Sequence, residues 1–235
     1  MGRVFEKRKH TMFARFDKMA KAFTRIGKDI AMAVKANGPN PDNNPKLRMA
    51  IRNAKGANMP KDRVDAAIKR ASSKDEKDFQ EIIYEGYAPH GVPVIVECAT
   101  DNPTRTVANI RLHFSKNDGS MGNSGSVSFM FEHKGVFKFE PSKLNLDELE
   151  LDLIDAGAED IQRDEEETII YTKFTEFGHM VKFLESKKLE AKSSELQYIP
   201  TTTKELNEAQ QDDVLKCIAA LEEDDDVQNV YHNLA

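Results

Sequence analysis

The chain has 235 residues, of which 31% are charged and 39% hydrophobic, and its 34 Lys+Arg against 40 Asp+Glu give a formal net charge of -6. Domains run to roughly 100–150 residues, so two or three compact units fit. No apolar run approaches the roughly 20 residues of a bilayer-spanning helix, and no apolar stretch follows the basic N-terminus as in a secretory signal, so a soluble cytoplasmic protein with no membrane partner is expected.

The charge is unevenly divided. Residues 1–77 hold 20 Lys+Arg and 8 Asp+Glu, a net of +12, and the remainder carries a net of −18. A basic segment on an acidic body points to a polyanion partner for that segment alone.

From Thr11 to Ala36 the apolar residues Met12, Phe16, Met19, Phe23, Ile26, Ile30 and Ala33 recur at alternating spacings of four and three, which is helical periodicity. At about 100° per residue these form one face, and Lys18, Lys21, Arg25 and Lys28 form the opposite one. The loop NGPNPDNNP stops this helix. A second is expected in PKLRMAIRNAK, with Leu47, Ile51 and Ala54 inward, Arg48, Arg52 and Lys55 outward, and Gly56 at its end. A third starts near NMPKD and places Val64, Ile68 and Ala71 inward. Proline is tolerated in a first turn, which suits Pro45 and Pro60. SSKDEKD reads as a linker.

Beyond residue 78 the pattern becomes strand-like. FQEIIYEGYA and VPVIVECAT read as two strands turning at Pro89-His90-Gly91. A helix carrying Val107, Ile110 and Phe114 follows, with Thr100 or Asp101 as its cap. GSMGNSG reads as a flexible connection, and SVSFMFEHKGVFKFE as a hairpin turning at His133-Lys134-Gly135. From Pro141 a second unit is expected: a helix in LDELELDLIDAGA opened by an Asn145/Glu148 capping box, a strand in EETIIYTKF, a helix in TEFGHMVKFLESKK and a strand in LEAKSSELQYIP. The helix QDDVLKCIAALEEDD, with Val214, Leu215, Ile218 and Leu221 inward, and the strand DVQNVYHNL then complete the earlier sheet. The fold class is α+β: a basic helical domain (1–77), a ferredoxin-like α/β domain (78–140 with 204–235), and a second α/β domain (141–203) inserted into it.

Catalytic signatures are missing. None of the six histidines sits at metal-ligand spacing, and HExxH, CxxC and GxSxG do not occur. Cys98 and Cys217 lie in apolar runs and read as small buried side chains. The acidic runs Asp164–Glu167 and Leu221–Asp226 read as solvated faces rather than metal clusters. No cofactor and no metal is expected. An enzyme reading would place Tyr84, Glu85, His90 and Asp101 in a cleft; turn formation and capping are the simpler roles for them.

A basic helical unit grips nucleic acid chiefly through phosphates, with salt-sensitive affinity. The candidate contacts are Arg3, Lys7, Arg8, Lys9, Arg15, Lys18, Lys21, Arg25, Lys28, Arg48, Arg52, Lys55 and Lys61. Phe5 and Phe13 are candidates for stacking on bases, with core packing the alternative for Phe13.

The blocks KAFTRIGKDI, NPKLRMAIRNAKGANMPKDRVDAAIKRA, YEGYAPHGVPVIVECATDNPTRTVANIR and GSVSFMFEHKGVF resemble, in order, those of the YebC-type proteins, a family that includes a mitochondrial translational activator of cytochrome c oxidase. The opening MGRVFEKRK differs from the family's commoner GHSKW-like start. The resemblance implies three domains, one α/β domain inserted in another, and no catalytic activity. It also implies a DNA-binding transcriptional regulator, the alternative being a ribosome-associated translation factor gripping ribosomal or other structured RNA. A monomer is expected.

Overall fold

The computed structural model describes the backbone of residues 3–73 and 78–235 and, within these, all side chains except those of residues 3–18 and 147. The chain divides into two compact units, Met1–Lys77 and Asp78–Ala235.

The first unit holds three helices, α1 (Arg3–Asn37), α2 (Pro45–Gly56) and α3 (Lys61–Ala71). Helix α1 begins eight residues before the periodicity that marks it. Phe23, Ile30, Ala31, Ala33 and Val34 of α1 are buried with Leu47, Ala50 and Ala54 of α2 and Val64 and Ala71 of α3. Ile26, Ile51 and Ile68 are half-buried. Met19, expected in the core, is 38% exposed.

The second unit builds two four-stranded antiparallel sheets. The first has the order β3-β1-β2-β8, from β1 (Gln80–Ala88), β2 (Val92–Thr100), β3 (Ser120–Met121) and β8 (Val227–His232). The β1–β2 hairpin turns where expected, Ala88 pairing with Val92. Helices α4 (Pro103–Lys116) and α7 (Glu208–Glu222) cover one face of this sheet, burying Ile110, Phe114, Val214, Cys217, Ile218 and Leu221 against Val92, Val94 and Val96. Complete burial of each such side chain is worth about 1.5–3 kcal/mol. Leu215, expected inward, is 49% exposed, and Cys217 takes the inward position. Gly86 is required where β3 joins β1, because a Cβ there would lie 2.6 Å from the Ser120 carbonyl oxygen and 2.9 Å from the Phe114 ring.

The second sheet has the order β5-β6-β4-β7, from β4 (Phe131–Phe139), β5 (Ala158–Arg163), β6 (Thr168–Lys173) and β7 (Ser193–Pro200). Helices α5 (Leu146–Asp155) and α6 (Phe177–Ser186) pack on it through Leu153, Met180 and Leu184, against Phe137, Phe139 and Ile170. Two expectations are corrected here. Residues 131–139 form one unbroken strand with no turn at His133-Lys134-Gly135, pairing with β6 on one side and β7 on the other. That strand therefore lies in the second sheet. The β-α-β-β-α-β order of the ferredoxin-like motif belongs to this sheet, from β4 to β7, and not to the first.

Capping also differs from expectation. Helix α4 is capped by Asn102, whose side chain accepts the Arg105 N–H at 3.1 Å, while Thr100 Oγ1 accepts the Asn102 N–H at 2.9 Å. Asn145 precedes α5 but makes no side-chain cap bond. The capping box occurs instead at α7, between Asn207 and Gln210.

Candidate nucleic-acid interface

The turn between α1 and α2 is locked by short polar contacts. Gly38, at φ +83, ends α1 with its N–H on the Val34 carbonyl at 2.7 Å. Asn44 is fully buried and caps α2 by accepting the Leu47 N–H at 3.0 Å. Its Nδ2 donates to the carbonyls of Ala33, at 2.7 Å, and Gly38, at 2.9 Å. One amide thereby ties the end of α1 to the start of α2. Arg48 Nη1 donates to the carbonyls of Pro41, at 2.7 Å, and Asp42, at 2.9 Å. Arg48, one of the candidate polyanion contacts, thus also braces this loop.

The other expected contacts distribute as follows. The side chains of Arg3, Lys7, Arg8, Lys9, Arg15 and Lys18, and of Phe5 and Phe13, lie outside the described ones. Lys21, Arg25 and Lys28 of α1 and Arg52 of α2 are half-buried, and Lys55 and Lys61 are exposed. The unit also exposes Lys46, Arg63, Lys69 and Arg70, which the sequence reading did not name. The Arg63 guanidinium sits 5.7 Å from the centroid of the Phe23 ring, a cation–π distance. The outward positions of α3, opposite Val64 and Ala71, would have identified Arg63, Lys69 and Arg70 by helical spacing.

The second unit brings together no catalytic set from the expected residues. Tyr84 packs in the core beneath α4 and α7, where burial raises its phenol pKa. Glu85, its neighbour on β1, points to the other face, as alternation along a strand requires. His90 and Asp101 flank opposite ends of β2, about 30 Å apart at roughly 3.3 Å per residue. His90 occupies the turn at φ 61 and meets Asp213 at 3.2 Å; Asp101 pairs with Arg105 at 3.0 Å. Among the described residues no group of three or more His, Cys, Asp or Glu is arranged to hold a metal ion. Both cysteines are buried, and burial pushes the Cys217 thiol up to about 11.

Glu85 does different work. It is 5% exposed, and its carboxylate accepts the backbone N–H groups of Gly125 (2.7 Å), Val127 (2.7 Å) and Ser128 (2.9 Å). Burial pushes its pKa up, but these N–H bonds outweigh burial and leave it lowered. The glycine-rich segment expected to be a flexible connection is thus pinned to β1. The acidic run before β8 is not uniformly solvated either. Asp226 accepts from Thr106 Oγ1 at 2.8 Å and Arg105 at 2.6 Å, and Asp224 meets Asn109 at 3.1 Å and His113 at 3.3 Å. These contacts pin the start of β8 along one side of α4.

Residues 3–74 match the family described as the TACO1/YebC protein N-terminal domain, and residues 79–234 match the one described as the TACO1/YebC second and third domain. The chain belongs to the TACO1/YebC family. It is 55% identical over 240 residues to a protein of Anaeromyxobacter dehalogenans (strain 2CP-C), covering 100% of both chains. It is 53% identical over 240 residues to one of Myxococcus xanthus, again with 100% of both covered. Each of these relatives is called "Probable transcriptional regulatory protein". Among solved structures, a conserved hypothetical protein from Aquifex aeolicus has the same fold, with a TM-score of 0.79 at 39% identity over 92% of this chain and 90% of that one. The division of the family descriptions, near residues 74–79, falls where the two compact units part.

Proposed function

We propose that this TACO1/YebC protein is a non-enzymatic, DNA-binding regulator of transcription, gripping the nucleic-acid backbone through its N-terminal helical unit. The observation that carries this reading is the charge division: a net of +12 over residues 1–77 against −18 over the rest. A cationic unit releases counterions from a polyanion, whereas an acidic body is repelled by it. The name borne by the relatives, a transcriptional regulator, supports DNA as the polyanion. The contacts proposed are those of the basic helices: Lys21, Arg25, Lys28, Arg52, Lys55 and Lys61, together with the cations of residues 3–18. Arg48 acts indirectly, by fixing the α1–α2 turn. We further propose that the two sheets of the second unit are separate domains, with β4 to β7 forming the inserted one.

The test is equilibrium binding of the full chain to duplex DNA and to structured RNA across a salt series. A steep fall of log K with log salt is expected, together with its loss in a Lys21→Glu/Arg25→Glu/Lys28→Glu variant that keeps its thermal transition. Tighter binding to structured RNA than to duplex DNA at every salt would replace the transcription reading with an RNA-directed one. A flat salt dependence, or unchanged binding by the charge-reversed variant, would overturn the grip itself.

A further inference from the structure

Helix α5 has more apolar surface than its core requires. Leu153 is fully buried, and Leu146 and Leu149 pack against the same cluster. These three account for the face turned to the second sheet. Leu151 is nevertheless 78% exposed and Ile154 52% exposed. Spaced by three residues, they stand about 60° apart, Leu151 opposite Leu153 and Ile154 on the flank of the helix, at roughly 100° per residue. Single exposed apolar residues are ordinary, but two neighbours on one outward helix face form the start of a docking stripe.

The surroundings of that stripe select its partner. Residues 144–167 contain 11 Asp+Glu and one Arg. Glu148 and Asp155, beside Leu151 on the outward side, are exposed. Asp152 is engaged by Lys187 at 2.6 Å, so the lateral edge toward α6 is partly neutralised. An apolar pair flanked by the exposed carboxylates of Glu148 and Asp155 repels nucleic acid and anionic membrane. It also disfavours a two-fold pairing of α5 with α5 of a second copy, which would set like charges face to face.

We propose that the outward face of α5, centred on Leu151 and Ile154, docks a cationic amphipathic helix of a partner protein. The partner's apolar positions cover Leu151 and Ile154, and its Lys or Arg residues meet Glu148 and Asp155. This site is independent of the nucleic-acid grip and lies on a different unit of the chain. It gives the acidic body a task of its own: recruiting a basic protein segment while the N-terminal unit holds a polyanion.

The experiment measures fluorescence anisotropy of a labelled helical peptide of Leu and Lys, with Leu spaced to line one face, titrated with the full-length chain. A peptide of identical composition and scrambled order is the control. The wild type should bind the amphipathic peptide in a salt-weakened manner, and a Leu151→Glu/Ile154→Glu variant should lose about tenfold or more, since each Leu or Ile newly buried carries a factor of that order. Glu148→Gln/Asp155→Asn should weaken binding less and flatten its salt dependence. DNA binding should be unchanged in both variants, which separates this site from the N-terminal one. Should the double variant lose its thermal transition, Leu151→Gln alone serves in its place. Equal binding of the scrambled peptide, or unchanged binding by the Leu151 variants, would reduce the surface to diffuse charge and overturn the proposal. So would self-association of the wild type abolished by the same substitutions, because the stripe would then belong to a second copy.

Discussion

The Glu85 carboxylate on β1 accepts the backbone N–H of Val127 at 2.7 Å, joining residues 42 positions apart. With Gly125 and Ser128 it makes a three-donor cradle that fixes the approach to β4. Replacing Glu85 with Gln removes the anionic acceptor and turns an amide NH2 toward backbone donors. Glu85→Gln should cost about 3 kcal/mol, the scale of losing charge-assisted bonds to buried donors. Hydrogen exchange should show the amides of Gly125, Val127 and Ser128 opening first.

The same carboxylate sets an acid limit. Its folded pKa lies below the ordinary 4.5, so its stabilisation is complete above that value and fades as pH falls through the lowered folded value. Glu97 has the opposite sign. It is half-buried, and burial raises its pKa, aided by Glu81 and Glu195, although Asn229 and Tyr231 each hydrogen-bond it at 3.0 Å. Its contribution is complete below 4.5 and lost as pH rises through the raised folded value. Glu97→Gln should therefore raise the thermal midpoint at neutral pH and leave it nearly unchanged, or lower it, in acid. Melting curves against pH for the two single variants should diverge in opposite directions.

Glu97 also shows what the sequence conceals. Tyr231 donates to it and lies 3.4 Å from the Leu196 carbonyl on β7, so the phenol stands at the junction of the two sheets beside Ile95, Val127, Phe131 and Tyr198. Nearby, His133 is sandwiched between Phe174 at 4.7 Å and Tyr198 at 4.5 Å. Local periodicity shows which residues are apolar on a strand, and that sufficed for the three N-terminal helices, the β1–β2 hairpin and α7. It does not show which sheet a strand joins. Phe131–Phe139 reads as a hairpin because His133-Lys134-Gly135 is polar and contains glycine. Yet Gly135 is there because a Cβ would lie 2.4 Å from Thr172 Oγ1 and 2.6 Å from the Phe177 ring. Close packing, not a turn, sets that glycine. Strand β5 went unforeseen because AEDIQR buries little and has four polar residues in six. At the candidate interface the charge was legible at once, but Arg48 was not separable from Arg52 by spacing, since its partners are main-chain carbonyls of an irregular loop.

Asn44 is the second such partner of the main chain. Asn44→Ala would remove a helix cap, worth about 1 kcal/mol, and leave the Ala33 and Gly38 carbonyls without their amide donor, at about 1–3 kcal/mol each. A loss of about 3–7 kcal/mol in total is expected, confined to the first unit. Circular dichroism and calorimetry of the full chain should show an early transition for the helical unit, with the sheet unit melting as in wild type. A single cooperative shift of the whole chain would show the cap to serve more than its own unit.

Arg48 and Lys61 divide the interface into support and grip. Arg48 donates two hydrogen bonds to the loop carbonyls of Pro41 and Asp42, whereas Lys61 is exposed at the first position of α3. Lys61→Ala should leave the stability within about 0.5 kcal/mol of wild type and reduce the salt slope of DNA binding by about 0.9, the loss of one phosphate contact. Arg48→Ala should destabilise the first unit by about 1–2 kcal/mol through its two lost bonds. Its salt slope should stay at the wild-type value in conditions where the unit remains folded. The two measurements together separate a residue that touches the polyanion from one that shapes the surface presented to it. A reduced slope for Arg48→Ala with unchanged stability would move Arg48 into the contact surface and assign the loop's rigidity to Asn44 alone.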